Sequence, residues 1–328
     1  MIQNKKASII LILKILEEYS DEEHFLTHKE IIDYIYREYN IELERKSVAY
    51  SLNLLIELGY DIVKSPKGGY ALFSRLFDKS EITFLSDSIF SNKAITGKNA
   101  TSLCKKINSV LSKYERKDYS YIYKSEEINR TNNKEIFYNI ELIHEAIVKK
   151  KRIRFQYITY DENGNAIPRM NGYYFEVSPY FLVNNFGHYY LLANYREKYK
   201  PIQVYRLDYI INIDILSDDK YKNLKDISAF KNFKIYQYLN EHIYLFGSEV
   251  LEATLEILNP YAIQYLYDWF GTNLKILKNN DKLLTKIKCS EDALFYWVLQ
   301  YGKNFKVLEP KSLIERIKSY HEEEMQKY

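Results

Sequence analysis

The sequence is poor in the residues that build covalent and metal-based sites. Its 328 residues include only two cysteines, Cys104 and Cys289, which lie far apart and form no CxxC pair. This spacing argues against a disulfide scaffold and against a cysteine-based zinc site, and it fits a reducing compartment. The six histidines are scattered, and none has a second ligand at metal-binding spacing. We therefore expect no metal and no cofactor.

Catalytic motifs and long apolar runs are also missing. The sequence contains no HExxH, no GxSxG and no P-loop, so it predicts no enzymatic activity. The N-terminal apolar run Ile9–Leu13 is broken by Lys14, which makes it too short to cross a membrane. We interpret this run as part of a buried helix in a cytoplasmic protein without a membrane partner.

An excess of charge of one sign is absent as well. The net charge is +3, so no overall field points to nucleic acid, and any basic surface must be local. The length predicts two or three domains. Tyrosine is abundant, with 34 residues. We attribute most of them to compositional bias, although tyrosine also packs, stacks on bases and donates hydrogen bonds.

The first 75 residues predict three helices. Apolar residues recur at helical spacing over 7–18. Thr27 and Glu30 have the spacing of a capping box and open a second helix. A third helix is predicted over 44–58, and Gly59 is the signal that ends it.

A hairpin follows these helices. Short apolar runs at 60–63 and 70–73 flank a turn at 64–69 that contains two glycines. Three helices followed by a hairpin are typical of a winged helix-turn-helix domain, here residues 1–75. Core residues are predicted on one side of the third helix, namely Val48, Leu52, Leu55 and Ile56.

We predict that this domain binds double-stranded DNA through its third helix and its hairpin wing. A helix that reads a groove needs short polar and basic residues near its start. The candidate DNA contacts are Arg45, Lys46, Ser47, Tyr50, Ser51, Asn53, Lys64 and Lys67. The alternative is a solvated helix face. The cap, the glycine stop and the wing favour DNA contact.

Two further domains are predicted, one directly after the winged helix-turn-helix and one at the C-terminal end of the sequence. Residues 76–150 are mostly helical and predict a connector. A polar linker over 217–228 precedes a C-terminal region, 229–328. Strands and helices alternate there in the order βαββαβ, which is typical of a ferredoxin-like unit.

Residues 151–216 predict a small β-module. Alternating apolar and polar residues over 174–211 predict three strands, with a turn at 198–201. The segment is rich in polar aromatic and single basic residues rather than in plain core residues. A module of this composition is typical of a binding site.

Several polar side chains of this module have the chemistry to hold a ligand. His188 and Tyr190 share one face of their strand, and Arg206 and Asp208 share one face of the next. Arg206 is the best candidate for an anion contact because its planar fork suits phosphate and carboxylate groups. A structural ion pair with Asp208 is an equally supported role.

In their order and spacing, these segments resemble the WYL-domain transcriptional regulators of bacteria. The signature triplet corresponds to Tyr189-Tyr190-Leu191, and two further blocks correspond to Val177–Tyr180 and Val204–Asp208. The resemblance implies an α+β protein of four parts. These are a winged helix-turn-helix, a helical connector, a small Sm- or SH3-like β-barrel called the WYL domain, and a C-terminal extension domain, here ferredoxin-like.

The resemblance also implies a function. We predict a homodimeric, sequence-specific regulator, a repressor rather than an activator, and the resemblance implies that its WYL domain senses a nucleic-acid or nucleotide-like effector. The residues implied for the effector site are Tyr157, Ser178, His188, Tyr190 and Arg206. For each alone, packing is the competing role. Two arginines usual in the family are Gln203 and Tyr209 here, which leaves open a different effector, weaker binding or no sensing.

A second hypothesis comes from the tyrosine-rich module itself. The protein would be an accessory module that binds single-stranded nucleic acid and regulates a partner protein. A single-strand preference that survives loss of residues 1–75 would favour this hypothesis. A strict preference for a duplex sequence would favour the regulator.

Overall fold

The computed structural model describes residues 7–116, 130–195, 202–217, 220–227 and 232–328. The chain divides into two compact units, Met1–Lys134 and Glu135–Tyr328. Helices and a short hairpin form the first unit, and two larger antiparallel sheets with helices form the second. The predicted α+β class is confirmed. None of the helices in these ranges combines the length and the apolar content that a bilayer crossing requires.

The first unit begins with the winged helix-turn-helix arrangement that the sequence predicts. Its elements are α1 Ser8–Tyr19, α2 His28–Tyr39, α3 Arg45–Glu57, β1 Ile62–Lys64, β2 Tyr70–Leu72, α4 Lys79–Ser91 and α5 Gly97–Asn108. The first three helices and the hairpin share one core, in which Ile12, Leu16, Ile31, Ile35 and Leu52 are fully buried.

One prediction about the core of this domain is wrong. Val48, Leu52 and Leu55 of α3 are buried as predicted, but Ile56 is 44% exposed. Successive residues of an α-helix point about 100° apart, so the residue after Leu55 turns away from the core. The apolar side of α3 is therefore narrower than the sequence indicates.

The predicted capping box at the start of α2 is present. The Thr27 hydroxyl accepts a hydrogen bond from the Glu30 amide at 3.3 Å, and a Glu30 carboxylate oxygen accepts one from the Thr27 amide at 2.8 Å. These two bonds satisfy backbone donors that the first helical turn otherwise leaves unpaired.

Loss of this cap has a measurable consequence. We expect Thr27→Ala to destabilise α2 by about 1 kcal/mol, the usual cost of removing a capping hydroxyl. Amide hydrogen exchange of α2 in the full chain measures this change as faster opening. Thr27→Ser retains the hydroxyl and serves as the control, so equal exchange in the two variants would contradict the expectation.

The second unit begins with a helix and a curled, half-barrel sheet. The elements are α6 Ile136–Lys149, β3 Ile153–Tyr160, β4 Ala166–Pro168, β5 Tyr174–Asn185, β6 His188–Asn194, β7 Gln203–Arg206 and β8 Ile210–Ile215. The hydrogen-bonded order is β4-β3-β5-β6-β7, and β8 also pairs with β3. The three predicted strands are confirmed, whereas the predicted turn at 198–201 lies outside the described residues.

A second sheet with its own helices completes this unit. The elements are α7 Ile235–Glu241, β9 Val250–Ile257, α8 Ile263–Phe270, β10 Ile276–Asn279, β11 Lys282–Ser290, α9 Glu291–Tyr301, β12 Phe305–Glu309 and α10 Lys311–Met325. The strand order β10-β11-β9-β12 interleaves two βαβ units, so the predicted ferredoxin-like topology is confirmed. Trp297 is fully buried in the core of this layer.

Candidate nucleic-acid interface and effector site

The exposed side of α3 carries most of the candidate DNA contacts. The helix begins at Arg45, so Arg45 and Lys46 lie in its first turn and are exposed. Tyr50 is 70% exposed, Asn53 is exposed and Ser47 is half-buried. Polar and cationic groups along one helix face match the donors and charges needed to contact base edges and phosphates.

Ser51 lies on the other side of the same helix. Its exposure is 3%, and it is part of the buried side together with Val48 and Leu52. The structure therefore does not bring Ser51 together with the exposed candidates. The sequence pattern missed this because serine is small enough to occupy a core-facing position in a helix.

The wing presents the two candidate lysines on a hairpin with a constrained turn. Lys64 and Lys67 are both exposed. Gly68 and Gly69 have φ angles of +93° and +95°, a region that favours glycine. A Cβ at Gly69 would lie 3.2 Å from the Cβ of Phe25, so glycine also allows close packing of the turn.

A cleft forms where the first turns of α2 and α3 meet the wing. Its volume is about 560 Å³. The lining residues are Thr27, His28, Lys29, Ile32, Arg45, Lys64, Gly68, Gly69 and Tyr70. We call this the basic cleft, because three of its side chains are cationic and none carries a carboxylate. Sequence reasoning missed His28 and Lys29, which stand beside Arg45 only after the helices pack.

In the second unit, four of the five candidate effector residues meet at the end of β7. Arg206 donates hydrogen bonds to the two carboxylate oxygens of Asp208, at 3.1 and 2.6 Å, and to His188 Nδ1 at 3.1 Å. The guanidinium carbon lies 4.4 Å from the centre of the Tyr209 ring. Tyr190 is the cross-strand partner of Arg206. Together with Tyr157, whose hydroxyl contacts the Arg206 backbone amide, these residues form a group of six that we call the arginine cluster.

The arrangement differs in one respect from the prediction. Arg206 and Asp208 were expected on one face of a single strand, but β7 ends at Arg206 and Asp208 lies in a 3-10 turn over Leu207–Tyr209. The turn folds the carboxylate back onto the guanidinium. The ion pair that was weighed as a structural role of Arg206 is thus present, with Asp208 only 3% exposed at its side chain.

The electrostatics of the arginine cluster favour a charged arginine beside neutral tyrosines. Burial lowers the pKa of Arg206, the hydrogen bond and charge of Asp208 raise it, and the net direction is upward. Burial raises the pKa of Tyr157 to about 12 and raises that of Tyr190. The Tyr157 hydroxyl accepts a hydrogen bond from the Arg206 backbone amide at 3.0 Å. Both phenols therefore keep their protons at neutral pH.

Ser178, the fifth candidate, performs a different task. It is 3% exposed, and its hydroxyl accepts a hydrogen bond from the Lys222 amide at 3.1 Å. Tyr180 donates to the Lys222 carbonyl at 2.9 Å. These bonds hold the segment around Lys222, which follows the half-barrel in the chain, against β5. The described contacts of Ser178 therefore belong to the support of the sheet rather than to the arginine cluster.

Comparison with known proteins identifies the two layers of the second unit. Residues 138–215 match the WYL domain, and residues 249–323 match the WCX domain. The chain therefore carries a WYL domain followed by a WCX domain, which is the order expected from its resemblance to the WYL-domain regulators. The resemblance drawn from the sequence is confirmed. The WYL match begins inside α6, so it includes the helix that precedes the half-barrel.

Two solved structures are similar to the chain. Proteasome accessory factor B/C of Arthrobacter aurescens is 15% identical, with a TM-score of 0.30, over 99% of this chain and 49% of that one. The chain thus spans about half the length of that protein. A CRISPR Cas-related protein is 15% identical, with a TM-score of 0.40, over 98% of this chain and 84% of that one. A search of curated proteins found no match.

Two positions at which the sequence was expected to differ from the family pattern have identifiable contacts. The Gln203 side-chain oxygen accepts a hydrogen bond from the Tyr195 amide at 2.9 Å. Tyr209 lies under the Arg206 guanidinium and also packs edge-on against Tyr157, with ring centroids 5.7 Å apart. The sequence marked Tyr209 only as a missing arginine. Its role as a cation–π partner required the 3-10 turn.

The described ranges show no metal-binding geometry. The residues there form no group of three or more His, Cys, Asp or Glu side chains that could hold a metal ion. The arginine cluster offers hydrogen-bonding groups and aromatic ring faces through its side chains.

Proposed function

We propose that the protein is a homodimeric, sequence-specific DNA-binding regulator of transcription, a repressor rather than an activator. The observation that carries this proposal is the exposed face of α3. This face of the third helix of a winged helix-turn-helix carries Arg45, Lys46, Tyr50 and Asn53, which supports its use as the recognition helix. Ser47 lies at its edge, and Lys64 and Lys67 on the wing contact the DNA backbone. A two-fold dimer would read two half-sites spaced by turns of the double helix.

The WYL domain is the sensor in this proposal. A nucleic-acid or nucleotide-like effector binds at the arginine cluster, where Tyr157, His188 and Tyr190 supply hydrogen bonds and a stacking face. Asp208 and His188 already engage Nε and Nη2 of Arg206. An anionic effector must therefore use Nη1 or displace Asp208. The effector regulates transcription only if its affinity differs between the DNA-bound and DNA-free states.

Anisotropy binding of the full chain to duplex DNA from upstream of its own gene tests this function. Scrambled duplex and single strand serve as competitors over a salt series. We expect tight binding that the scrambled duplex does not displace, with affinity that falls as salt rises. Equal displacement by the scrambled duplex would contradict sequence-specific recognition. We assign the protein no enzymatic activity.

One surface favours the single-strand hypothesis as a second candidate. Tyr173 and Tyr174 of the WYL domain are 38% and 41% exposed, and the Arg154 guanidinium lies 5.4 Å from the Tyr174 ring centre. Exposed aromatic rings beside a cation suit stacked bases. If the protein binds only the single strand in the same assay, and Tyr173→Ala/Tyr174→Ala abolishes that binding, nucleic-acid binding would be assigned to this surface.

A further inference from the structure

The basic cleft brings together cationic side chains that have no carboxylate partner among the described residues. Lys29 comes from α2, Arg45 from α3 and Lys64 from the end of β1. Within the described ranges none of the three forms an ion pair, and Lys64 Nζ lies 5.9 Å from the centre of the Tyr70 ring. Like charges held close together repel one another, so the cleft favours an anion that neutralises them.

Glu30 and Glu44, which adjoin lining residues in the sequence, do not themselves line the cleft. Glu30 is occupied by the capping box, where it accepts hydrogen bonds from the Thr27 amide and hydroxyl at 2.8 and 2.7 Å. Glu44 precedes α3 and is exposed. The chain thus leaves a concave site of positive potential, of a size that accepts a tetrahedral oxyanion. The first turns of two helices add partial positive charge to the same place.

His28 is the titratable group inside this cationic setting. Its ring packs against Tyr70 with centroids 5.2 Å apart, and its Nε2 atom is buried without a hydrogen-bond partner among the described residues. Burial, followed by the positive charges of Arg45 and Lys64, lowers the pKa of His28. In the absence of an anion, the imidazole is therefore neutral at physiological pH.

We propose that the basic cleft binds one phosphate of the DNA backbone, and that His28 takes up a proton when the phosphate is bound. The inference rests on the proposed function, because it names a contact and a proton linkage within the DNA interface. The bound phosphate offsets the charges of Arg45 and Lys64 that disfavour imidazolium. DNA binding then becomes stronger as pH falls.

The sign of this linkage follows from the two states of His28. The pKa of His28 is lowered in the free protein and higher in the complex, because an anion stands nearby only in the complex. Affinity is constant above the pKa of the complex, rises as pH falls between the two pKa values, and levels off below the pKa of the free protein. A difference of one pKa unit gives a tenfold change in affinity, and an opposite charge at close range shifts a pKa by about one to three units.

The first experiment measures duplex affinity of the full chain between about pH 5 and pH 8 at constant ionic strength. We expect the dissociation constant of the wild type to fall by about tenfold toward the acidic end. His28→Gln is expected to lose this slope. His24→Gln is the control, because His24 bonds Asp21 at 2.6 Å outside the cleft, and it should retain the slope. An unchanged slope in His28→Gln overturns the inference.

The second experiment needs no DNA. Sulfate carries a fixed charge in this pH range, so it is added to the full chain while NMR follows the titration of the histidine rings. Sulfate should raise the pKa of His28 in the wild type, and Lys64→Ala should weaken that effect. An unchanged pKa of His28 overturns the inference even if His28→Gln does not fold.

The two experiments separate the inference from the proposed function. If no duplex binds at any pH while sulfate still raises the pKa of His28, the cleft is an anion site and the DNA-binding function fails. If duplex binding is specific but neither sulfate nor His28→Gln has an effect, the function stands and the inference fails.

Discussion

Replacing Arg206 with methionine is expected to destabilise the half-barrel by about 3 kcal/mol, because the change leaves the carboxylate of Asp208 buried without its main partner. Asp208 is 3% exposed at its side chain and receives two hydrogen bonds from the guanidinium, at 3.1 and 2.6 Å. Methionine keeps much of the length and apolar packing of the arginine side chain, so the measured change in stability reflects the loss of the charge. Amide hydrogen exchange of β6 and β7 in the full chain measures it.

A double variant separates the structural role of Arg206 from its role in effector binding. Arg206→Met/Asp208→Asn removes both charges, so we expect it to be more stable than Arg206→Met alone by at least about 1 kcal/mol. If Arg206 also contacts the effector, the double variant regains stability but not the effector response, while it still binds DNA. Full response in the stable double variant would assign Arg206 a purely structural role. Equal stability of Arg206→Met and wild type would contradict the ion-pair argument itself.

Replacing Arg45 and Lys46 together with alanine is expected to weaken duplex binding by about tenfold or more at moderate salt. Both side chains lie in the first turn of α3 and are exposed. Each lost phosphate contact also removes about one unit from the slope of log affinity against log salt. The double variant should therefore show a slope smaller by about two. Anisotropy over a salt series measures both effects.

A matched control distinguishes a contact from a general loss of charge. Lys105 and Lys106 are exposed on α5 of the same unit, so Lys105→Ala/Lys106→Ala removes the same charge away from α3. We expect this control to keep nearly the wild-type affinity and slope. Equal weakening in the two double variants would indicate attraction by overall charge, and it would remove α3 from the interface.

Local patterns were sufficient for much of the fold. The capping box at Thr27, the helix end at Gly59 and the alternation over 174–211 each depend on neighbours a few residues away. Chemistry of that range is readable in a linear sequence. The order of strands and helices after residue 249 likewise predicts the ferredoxin-like topology, because short connections leave few ways to interleave two βαβ units.

Predictions that depend on a residue's exact direction were less accurate. Ile56 was expected in the core and is exposed, whereas Ser51 was expected on the DNA-contacting side and is buried. One helical position changes the direction of a side chain by about 100°. Asp208 was expected on a strand and lies in a 3-10 turn. Boundaries between elements are set by tertiary contacts, so a sequence pattern locates them only to within a few residues. The predicted domain limits, the homodimer and the individual DNA and effector contacts remain predictions.

The sequence by itself determined the family, the class of fold and the choice of α3 and β7 as places to look for function. It did so because periodicity, caps and short blocks such as Tyr189-Tyr190-Leu191 are local features. Only the tertiary structure decided which charges meet. It set Asp208, His188 and Tyr209 around Arg206, and it set His28 beside Arg45 and Lys64. These groups are distant in the chain or separated by a turn, and electrostatic interactions depend on distance in space rather than on distance in sequence.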